Sequence, residues 1–300
     1  MDTPRYRLDA NQDFVIEHYN DAPPFASFLP GIAGPWGVPM WTFYTNRGQG
    51  IASFGVLDKD GSIMEFQPAN KAYRCTALLG FRTFLKADGK PWEPFAEGTG
   101  LPSEMRTTPH DLRLTERNPS LGLTVDVEYF TVPNERFAAL ARRVRVTNTS
   151  GKARAIEIVD GMPAILPCGL DNGTMKTLTN LIQAWCSAER LERGVEFYKT
   201  KTALGDVTEI LTFRRGNFYA ASLSHRGRES RPATIVCPKH VFGPVTGFET
   251  PSAFFKTTRF VPPKTEPREG FIPCAFSHAA VRLAAGESFD LVSYVGQAES

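Results

Sequence analysis

Aromatic and planar polar side chains lie close together in the sequence between residues 28 and 55. Trp36 and Trp41 supply flat apolar faces, while Arg47 and Gln49 supply planar hydrogen-bonding groups. A sugar ring suits such a surface, because its C–H faces are apolar and its rim carries hydroxyls. These four residues are therefore candidates for the rim of a carbohydrate site. The alternative is a buried first hairpin, since the glycines and prolines of the segment also fit tight turns.

A second candidate for a substrate rim is the loop at 166–173, where Asp171 and Asn172 precede a stretch with helical spacing of apolar residues. Asp171 or Asn172 is also a suitable N-terminal cap for a helix. Asp160 and Asp171 lie beside glycines, which is first of all a turn signal. We therefore predict no catalytic role for either carboxylate.

Known catalytic and cofactor motifs are missing from the sequence. It contains no nucleophile elbow, zinc-protease motif, dinucleotide fingerprint or phosphate-binding loop. The five histidines are isolated, and the five cysteines are scattered without C-x-x-C spacing. We therefore predict no catalytic residue, no metal site and no cofactor within these 300 residues, and we expect free thiols of the kind found in a reducing cytoplasm.

Charge and hydropathy exclude two further classes of partner. The formal net charge is only +2, which gives no electrostatic basis for binding nucleic acid. No stretch approaches the roughly 18 consecutive apolar residues of a membrane span. The charged N-terminus, residues 1–9, does not resemble a signal peptide, so we expect a cytoplasmic protein.

The elements that must position these residues are mostly strands, because apolar and polar residues alternate along much of the sequence. Leu123, Val125 and Val127 alternate with Thr124 and Asp126, which predicts a strand with one buried face. Further strands are predicted at 141–148, 155–159, 194–201, 206–213, 217–224 and 271–295. The sequence predicts a mainly β fold, a large antiparallel β-sandwich over residues 1–300, with one amphipathic helix near 174–190. Two segments rich in proline and glycine, 89–102 and 243–273, are predicted to be long surface loops.

Several longer segments resemble one enzyme family. They are 28–55, 62–73, 79–85, 121–132 and 157–167. The chain resembles the N-terminal β-sandwich region of glycoside hydrolase family 94 phosphorylases, in particular those similar to 1,2-β-oligoglucan phosphorylase. Members of this family carry a large helical catalytic barrel after the sandwich. The resemblance therefore implies a catalytic barrel downstream of these residues as the partner of this chain.

The resemblance also implies a reaction for the parent enzyme, in which a β-linked glucooligosaccharide and inorganic phosphate give α-glucose 1-phosphate and a shortened glycan. The catalytic acid and most phosphate contacts of the family lie in the barrel, so this chain would handle carbohydrate without catalysis. A homodimer built through the sandwich is also implied. The alternative is a stand-alone carbohydrate-binding or dimerisation module, and the type of β linkage stays open.

Overall fold

The structure of the protein is a computed structural model, and it describes residues 4–178, 181–202, 214–244 and 247–299. Within these residues the strands are β1 (Tyr6–Leu8), β2 (Phe14–Glu17), β3 (Ala26–Leu29), β4 (Met40–Thr45), β5 (Ile51–Val56), β6 (Ser62–Met64), β7 (Arg82–Ala87), β8 (Lys90–Trp92), β9 (Ser103–Thr107), β10 (Asp111–Asn118), β11 (Leu123–Thr131), β12 (Ala138–Asn148), β13 (Arg154–Met162), β14 (Cys186–Arg190), β15 (Glu196–Thr200), β16 (Arg215–His225), β17 (Arg228–Ser230), β18 (Ala233–Ile235), β19 (Ala275–Leu283) and β20 (Ser288–Glu299). The α-helices are α1 (Ala69–Leu79), α2 (Asn172–Thr177), α3 (Ile182–Trp185), α4 (Lys239–Phe242) and α5 (Ser252–Phe255). None of the helices in the described ranges is long and apolar enough to cross a membrane.

The strands form three antiparallel sheets. The largest has 11 strands in the order β1-β2-β9-β10-β11-β12-β20-β16-β15-β14, with β17 paired to β16. A five-stranded sheet has the order β18-β19-β13-β7-β8, and a four-stranded sheet has the order β3-β4-β5-β6. This mainly β, antiparallel architecture confirms the predicted fold class.

Alternation of side chains decides which face of the large sheet is buried. In β11, Val125 and Val127 are fully buried, and they pair across to Val146 and Val144 of β12. The intervening residues of β11 are only half-buried. The buried face packs into one apolar core that also contains residues of both smaller sheets, such as Ile158. The two smaller sheets therefore lie on the same side of the large sheet, and together they make a sandwich.

A charged network lies inside this apolar core. Arg142 of β12 is fully buried and forms an ion pair of 2.5 Å with Asp160 of β13. Its guanidinium also donates to Tyr129 Oη at 3.0 Å, to Thr83 Oγ1 at 3.1 Å and to the side-chain oxygen of Gln49. Burial raises the pKa of Tyr129 to about 12. The network joins the large sheet to the five-stranded sheet and to the turn between β4 and β5.

The predicted helix near 174–190 is wrong as one continuous element. The described residues form two short helices, α2 and α3, and then strand β14 from Cys186. Residues 186–190 form a strand despite the helical spacing of the apolar residues before them, because β14 pairs with β15 from Cys186↔Thr200 to Arg190↔Glu196. Residues 179 and 180 of the predicted helix, and the whole predicted strand at 206–213, lie outside the described residues.

The N-terminus of α2 agrees with the sequence prediction, whereas helix α1 was not predicted. Asp171 caps α2 as predicted, since its carboxylate accepts the Thr174 N–H at 2.7 Å. Helix α1 was not predicted, although it begins directly after Pro68 and ends at Gly80. It packs against the four-stranded sheet through buried Ala72, which contacts Phe43.

Candidate functional site

An open cleft of about 340 Å³ is lined by residues of helices α1 to α4, of strands β5 and β6, and of the segments that connect them to the rest of the chain. Its lining is Ala52, Met64, Glu65, Gln67, Leu79, Ala164, Leu166, Met175, Gln183, Pro238, Lys239, Phe242, Pro244, Phe248, Phe271 and Ile272. The volume falls in the range of about 300–1,000 Å³ that is usual for small-molecule sites. Most of the lining is apolar, and three of the side chains are phenylalanine rings.

Helices α1, α2, α3 and α4 all contribute residues to the walls of the cleft. Leu79 is the last residue of α1, Met175 belongs to α2, and Gln183 belongs to α3. Phe242 ends α4 and is buried against Phe84 of the five-stranded sheet, with ring centroids 5.8 Å apart. The cleft therefore depends on packing between distant segments rather than on one local motif.

Four polar side chains converge on this apolar surface: Glu65, Gln67, Gln183 and Lys239. Within the described part of the chain, none of these side chains makes a hydrogen bond or ion pair. Glu65 and Gln67 are half-buried, whereas Gln183 and Lys239 are exposed at the mouth. A half-buried polar group without a protein partner is available to a ligand.

Electrostatics at the cleft are shaped by the position of Glu65. Burial raises the pKa of Glu65, and nearby Lys176 and Lys71 oppose this effect. The carboxyl group therefore sits in a partly desolvated environment, where a hydrogen bond to it is stronger than in water. A carboxylate and two amides beside aromatic rings can accept and donate to hydroxyls while the rings cover an apolar face.

One wall of the cleft is fixed by a buried arginine. Arg82 donates to both carboxylate oxygens of Glu93, at 2.6 and 2.9 Å. The same guanidinium donates to the carbonyl of Phe248 and, at 3.2 Å, to that of Glu249. It also lies 4.7 Å from the centre of the Phe84 ring. Arg82 thus holds the segment that carries Phe248 against the outer face of the five-stranded sheet.

Three of the sequence-predicted rim residues lie at one end of the four-stranded sheet. The Trp41 indole donates to the carbonyl of Asp58 at 3.0 Å, and its ring meets the edge of Phe66. Phe66 lies between the cleft residues Glu65 and Gln67 in the sequence, but neither Phe66 nor Trp41 lines the cleft. The backbone N–H of Asn172 donates to the Asp60 carboxylate at 3.1 Å, and Asp171 caps the helix that carries Met175.

The other predicted rim residues lie elsewhere. Trp36 is 71% exposed on the loop before β4, where its N–H donates to Asn134 at 3.3 Å. Arg47 lies in the turn after β4, whose last residue, Thr45, is about 13 Å along the strand from Trp41. It donates to the Ala22 carbonyl at 3.0 Å. The structure therefore does not bring the six predicted residues into one site.

Gln49 lies in the core rather than on a rim. It is 3% exposed, and its side-chain oxygen accepts from Arg142 and, at 3.3 Å, from Thr83. The glycines on either side have positive φ, and a Cβ at Gly48 would come within 2.7 Å of Ala77 Cα. These glycines allow a close-packed turn. For Gln49 the structure thus fits the buried hairpin, and we leave it out of the proposed site.

The polar residues of the cleft were missed in the sequence. Glu65 and Gln67 carry a local signal, because two polar residues flank an aromatic one just after a strand. Gln183 and Lys239 carry no such signal, because only the folded chain brings α3 and α4 together. Across the described ranges there is no cluster of three or more histidine, cysteine, aspartate or glutamate residues arranged to hold a metal ion.

Comparisons with known proteins give only weak similarities. No family model matches the chain, and no curated protein matches it. Among solved structures, a polysaccharide lyase is 8% identical with a TM-score of 0.44, over 88% of this chain and 33% of the lyase. A bacterial glucoamylase complexed with acarbose is 10% identical with a TM-score of 0.41, over 92% of this chain and 36% of that one.

A putative aldose 1-epimerase from Escherichia coli K12 is 11% identical with a TM-score of 0.38, over 92% of this chain and 100% of the epimerase. All three names are those of carbohydrate-active enzymes. The chain spans about a third of the length of the first two structures. Similarities this weak establish nothing about the activity of the chain.

Proposed function

We propose that this chain is a non-catalytic carbohydrate-handling β-sandwich domain, and that its cleft binds a β-glucooligosaccharide. The observation that carries the proposal is the set of four polar side chains, unengaged within the described chain, around an apolar cleft with three phenylalanine rings. Rings of this kind suit the C–H faces of a glucosyl unit, and the polar groups suit its hydroxyls.

The use of the carboxylates supports the proposal that the domain is non-catalytic. Of the residues that the structure describes, Glu65 is the one carboxylate in the cleft lining, and Asp160 is buried in its ion pair with Arg142. Phosphorolysis needs an acid together with a cationic phosphate pocket, for which arginine is best suited. Among the described residues, Lys239 is the one basic residue of the cleft lining, and arginine is not part of it.

The resemblance to glycoside hydrolase family 94 extends the proposal to the parent protein. In this proposal the domain belongs to an inverting β-glucan phosphorylase that converts a β-linked glucooligosaccharide and phosphate into α-glucose 1-phosphate and a shortened glycan. A helical catalytic domain would be its partner, and a homodimer its assembly. Intact mass of the native polypeptide tests this, because a mass several-fold above 33.2 kDa is expected.

Binding is tested by calorimetric titration of the chain with β-1,2-, β-1,3- and β-1,4-linked glucooligosaccharides. We expect saturable binding at millimolar concentration or below, and no glucose 1-phosphate when phosphate is added. Glu65→Gln keeps the shape but removes the charge, and should weaken binding about tenfold, since a hydrogen bond to a charged group contributes about 1.5–3 kcal/mol.

Glu229→Gln is the matched control, because Glu229 is exposed on β17, outside the cleft. The affinity of Glu229→Gln for glucooligosaccharides should equal that of the unmodified chain. If Glu65→Gln binds glucooligosaccharides as tightly as the unmodified chain does, the binding site does not lie in the cleft. An absence of any saturable signal would refute carbohydrate handling by this chain, and release of glucose 1-phosphate would refute its non-catalytic nature.

A further inference from the structure

A second concave surface lies apart from the cleft and shares no lining residue with it. Its volume is about 500 Å³, and its lining is Val38, Val56, Leu57, Arg136, Phe137, Arg215, Gln297, Ala298 and Glu299. The loop before β4, the turn after β5 and the ends of β12, β16 and β20 meet here. We call these nine residues the Leu57 face.

Leu57 is unfavourable at its position in two independent ways. Its φ is +65°, a left-handed conformation that L-residues other than glycine, asparagine and aspartate rarely adopt. Its side chain is also 85% exposed, the largest exposure among the large hydrophobic residues described. Neither local geometry nor solvation in the isolated chain favours leucine here. Both the positive φ and the exposed apolar side chain cost free energy in the isolated chain. Leucine at this position is explained when another surface covers its side chain.

The neighbours of Leu57 extend the apolar surface. Val38 is 38% exposed, and Trp36, two residues earlier on the same loop, is 71% exposed. The loop is fixed in place, since the Asn134 N–H donates to the Ala33 carbonyl at 2.5 Å. The apolar side chains are therefore displayed on an anchored backbone, which lowers the entropy lost on binding.

The charged residues that line the Leu57 face are unbalanced. Arg136 is exposed, and its side chain makes no hydrogen bond or ion pair with any other described residue. Arg215 pairs with Glu299 at 3.4 Å, but both side chains are more than 60% exposed. The Leu57 face therefore carries two arginines against one glutamate, and carboxylates on a partner would complement it.

We propose that the Leu57 face docks a polypeptide partner that presents an apolar pocket for Leu57, bordered by carboxylates facing Arg136 and Arg215. The exposed Leu57 side chain offers a sugar neither a ring nor a hydrogen-bonding group, whereas an apolar pocket on another polypeptide would remove its surface from water. This proposal does not depend on carbohydrate binding in the cleft. The partner is a polypeptide other than a second copy of this chain, because the excess positive charge would face itself in a symmetric dimer.

The test places a photo-crosslinking residue, p-benzoylphenylalanine, at Trp36 in the full-length protein in the cells that make it. The crosslinked peptide is then sequenced by mass spectrometry. We expect one polypeptide with acidic residues beside the crosslink, and at least a tenfold loss of that product in Leu57→Asn and in Arg136→Glu. The same probe at Val261, which is 72% exposed outside the Leu57 face, is the control.

Asparagine tolerates a positive φ, so Leu57→Asn should unfold at the same temperature as the unmodified protein or at a higher one. A lower midpoint would show that Leu57 serves the fold of this chain and would overturn the proposal. A crosslink yield no greater than at Val261, a product that contains only a second copy of this chain or a glycan, or an unchanged yield in Leu57→Asn would overturn it as well.

Discussion

The buried carboxyl group of Glu116 makes the stability of the chain depend on pH. It lies on β10 and points into the core, where it is 1% exposed and where one of its carboxyl oxygens has no hydrogen-bond partner in the described structure. Burial raises its pKa to about 7, whereas an unfolded glutamate titrates near 4.5. The folded state therefore binds the proton more tightly than the unfolded state does.

The sign of the pH effect follows from this difference in proton binding. Between about pH 4.5 and 7 Glu116 binds its proton more strongly in the folded state, so the contribution of Glu116 to the free energy of unfolding falls as the pH rises. The loss through Glu116 should reach about 3 kcal/mol above pH 7, from roughly 1.4 kcal/mol per pKa unit. Glu116→Gln removes this titration, so the variant should be the more stable one at pH 8.

Urea unfolding of both chains at pH 5 and pH 8 measures the effect. The difference in unfolding free energy between Glu116→Gln and the unmodified chain should grow with pH. Glu229→Gln, at an exposed strand position, is the control and should leave the pH profile unchanged. A constant difference between Glu116→Gln and the unmodified chain across this range would show that Glu116 does not titrate there.

At the scale of elements, the segment that carries α4, α5 and Phe248 depends on buried cations beneath it. Arg82 bonds to the carbonyls of Phe248 and Glu249 through a planar fork that lysine cannot reproduce. We expect Arg82→Lys to speed amide exchange in residues 247–256 at least tenfold. If the cleft binds glucooligosaccharides, their affinity should fall too, because Phe248 forms part of its wall.

Arg154→Lys is the matched control for this change. Arg154 pairs with Asp88 at 2.9 Å on a distant turn, so its replacement should leave exchange in residues 247–256 unchanged. Equal exchange rates in Arg82→Lys and the unmodified chain would show that Arg82 does not hold the segment. The buried ring of Phe254 and the hydrogen bond from Lys86 to the Thr257 carbonyl at 2.8 Å would then be the contacts that hold it.

The same segment shows where sequence reasoning ends. Alternation predicted strands such as β11 and β12 well, because period-two burial is a local property. The proline and glycine content predicted a long surface loop at 243–273, yet Phe254 and Phe260 are buried on the five-stranded sheet. The distribution of the strands over three sheets and the formation of the cleft both depend on contacts between segments far apart in the chain. No local pattern encodes those contacts.

At the scale of the whole molecule, one apolar core joins all three sheets. It contains Phe54 of the four-stranded sheet, Ile158 of the five-stranded sheet and Leu140 of the large sheet. Arg142 and Asp160 link two of these sheets from within. We therefore expect the chain to unfold in one cooperative transition, since no sheet can leave without exposing the core of the others.

Arg142→Met tests this coupling, because it leaves the Asp160 carboxylate buried and unpaired. The unfolding free energy should fall by about 3–5 kcal/mol, as for other broken buried ion pairs. Far-UV circular dichroism and tryptophan fluorescence should follow one shifted transition. Arg145→Met breaks an exposed pair with Asp290 and should cost less than about 1 kcal/mol. Separate transitions for the two signals in the unmodified chain would show that the sheets unfold independently, and an unchanged free energy of unfolding in Arg142→Met would show that the buried ion pair does not couple them.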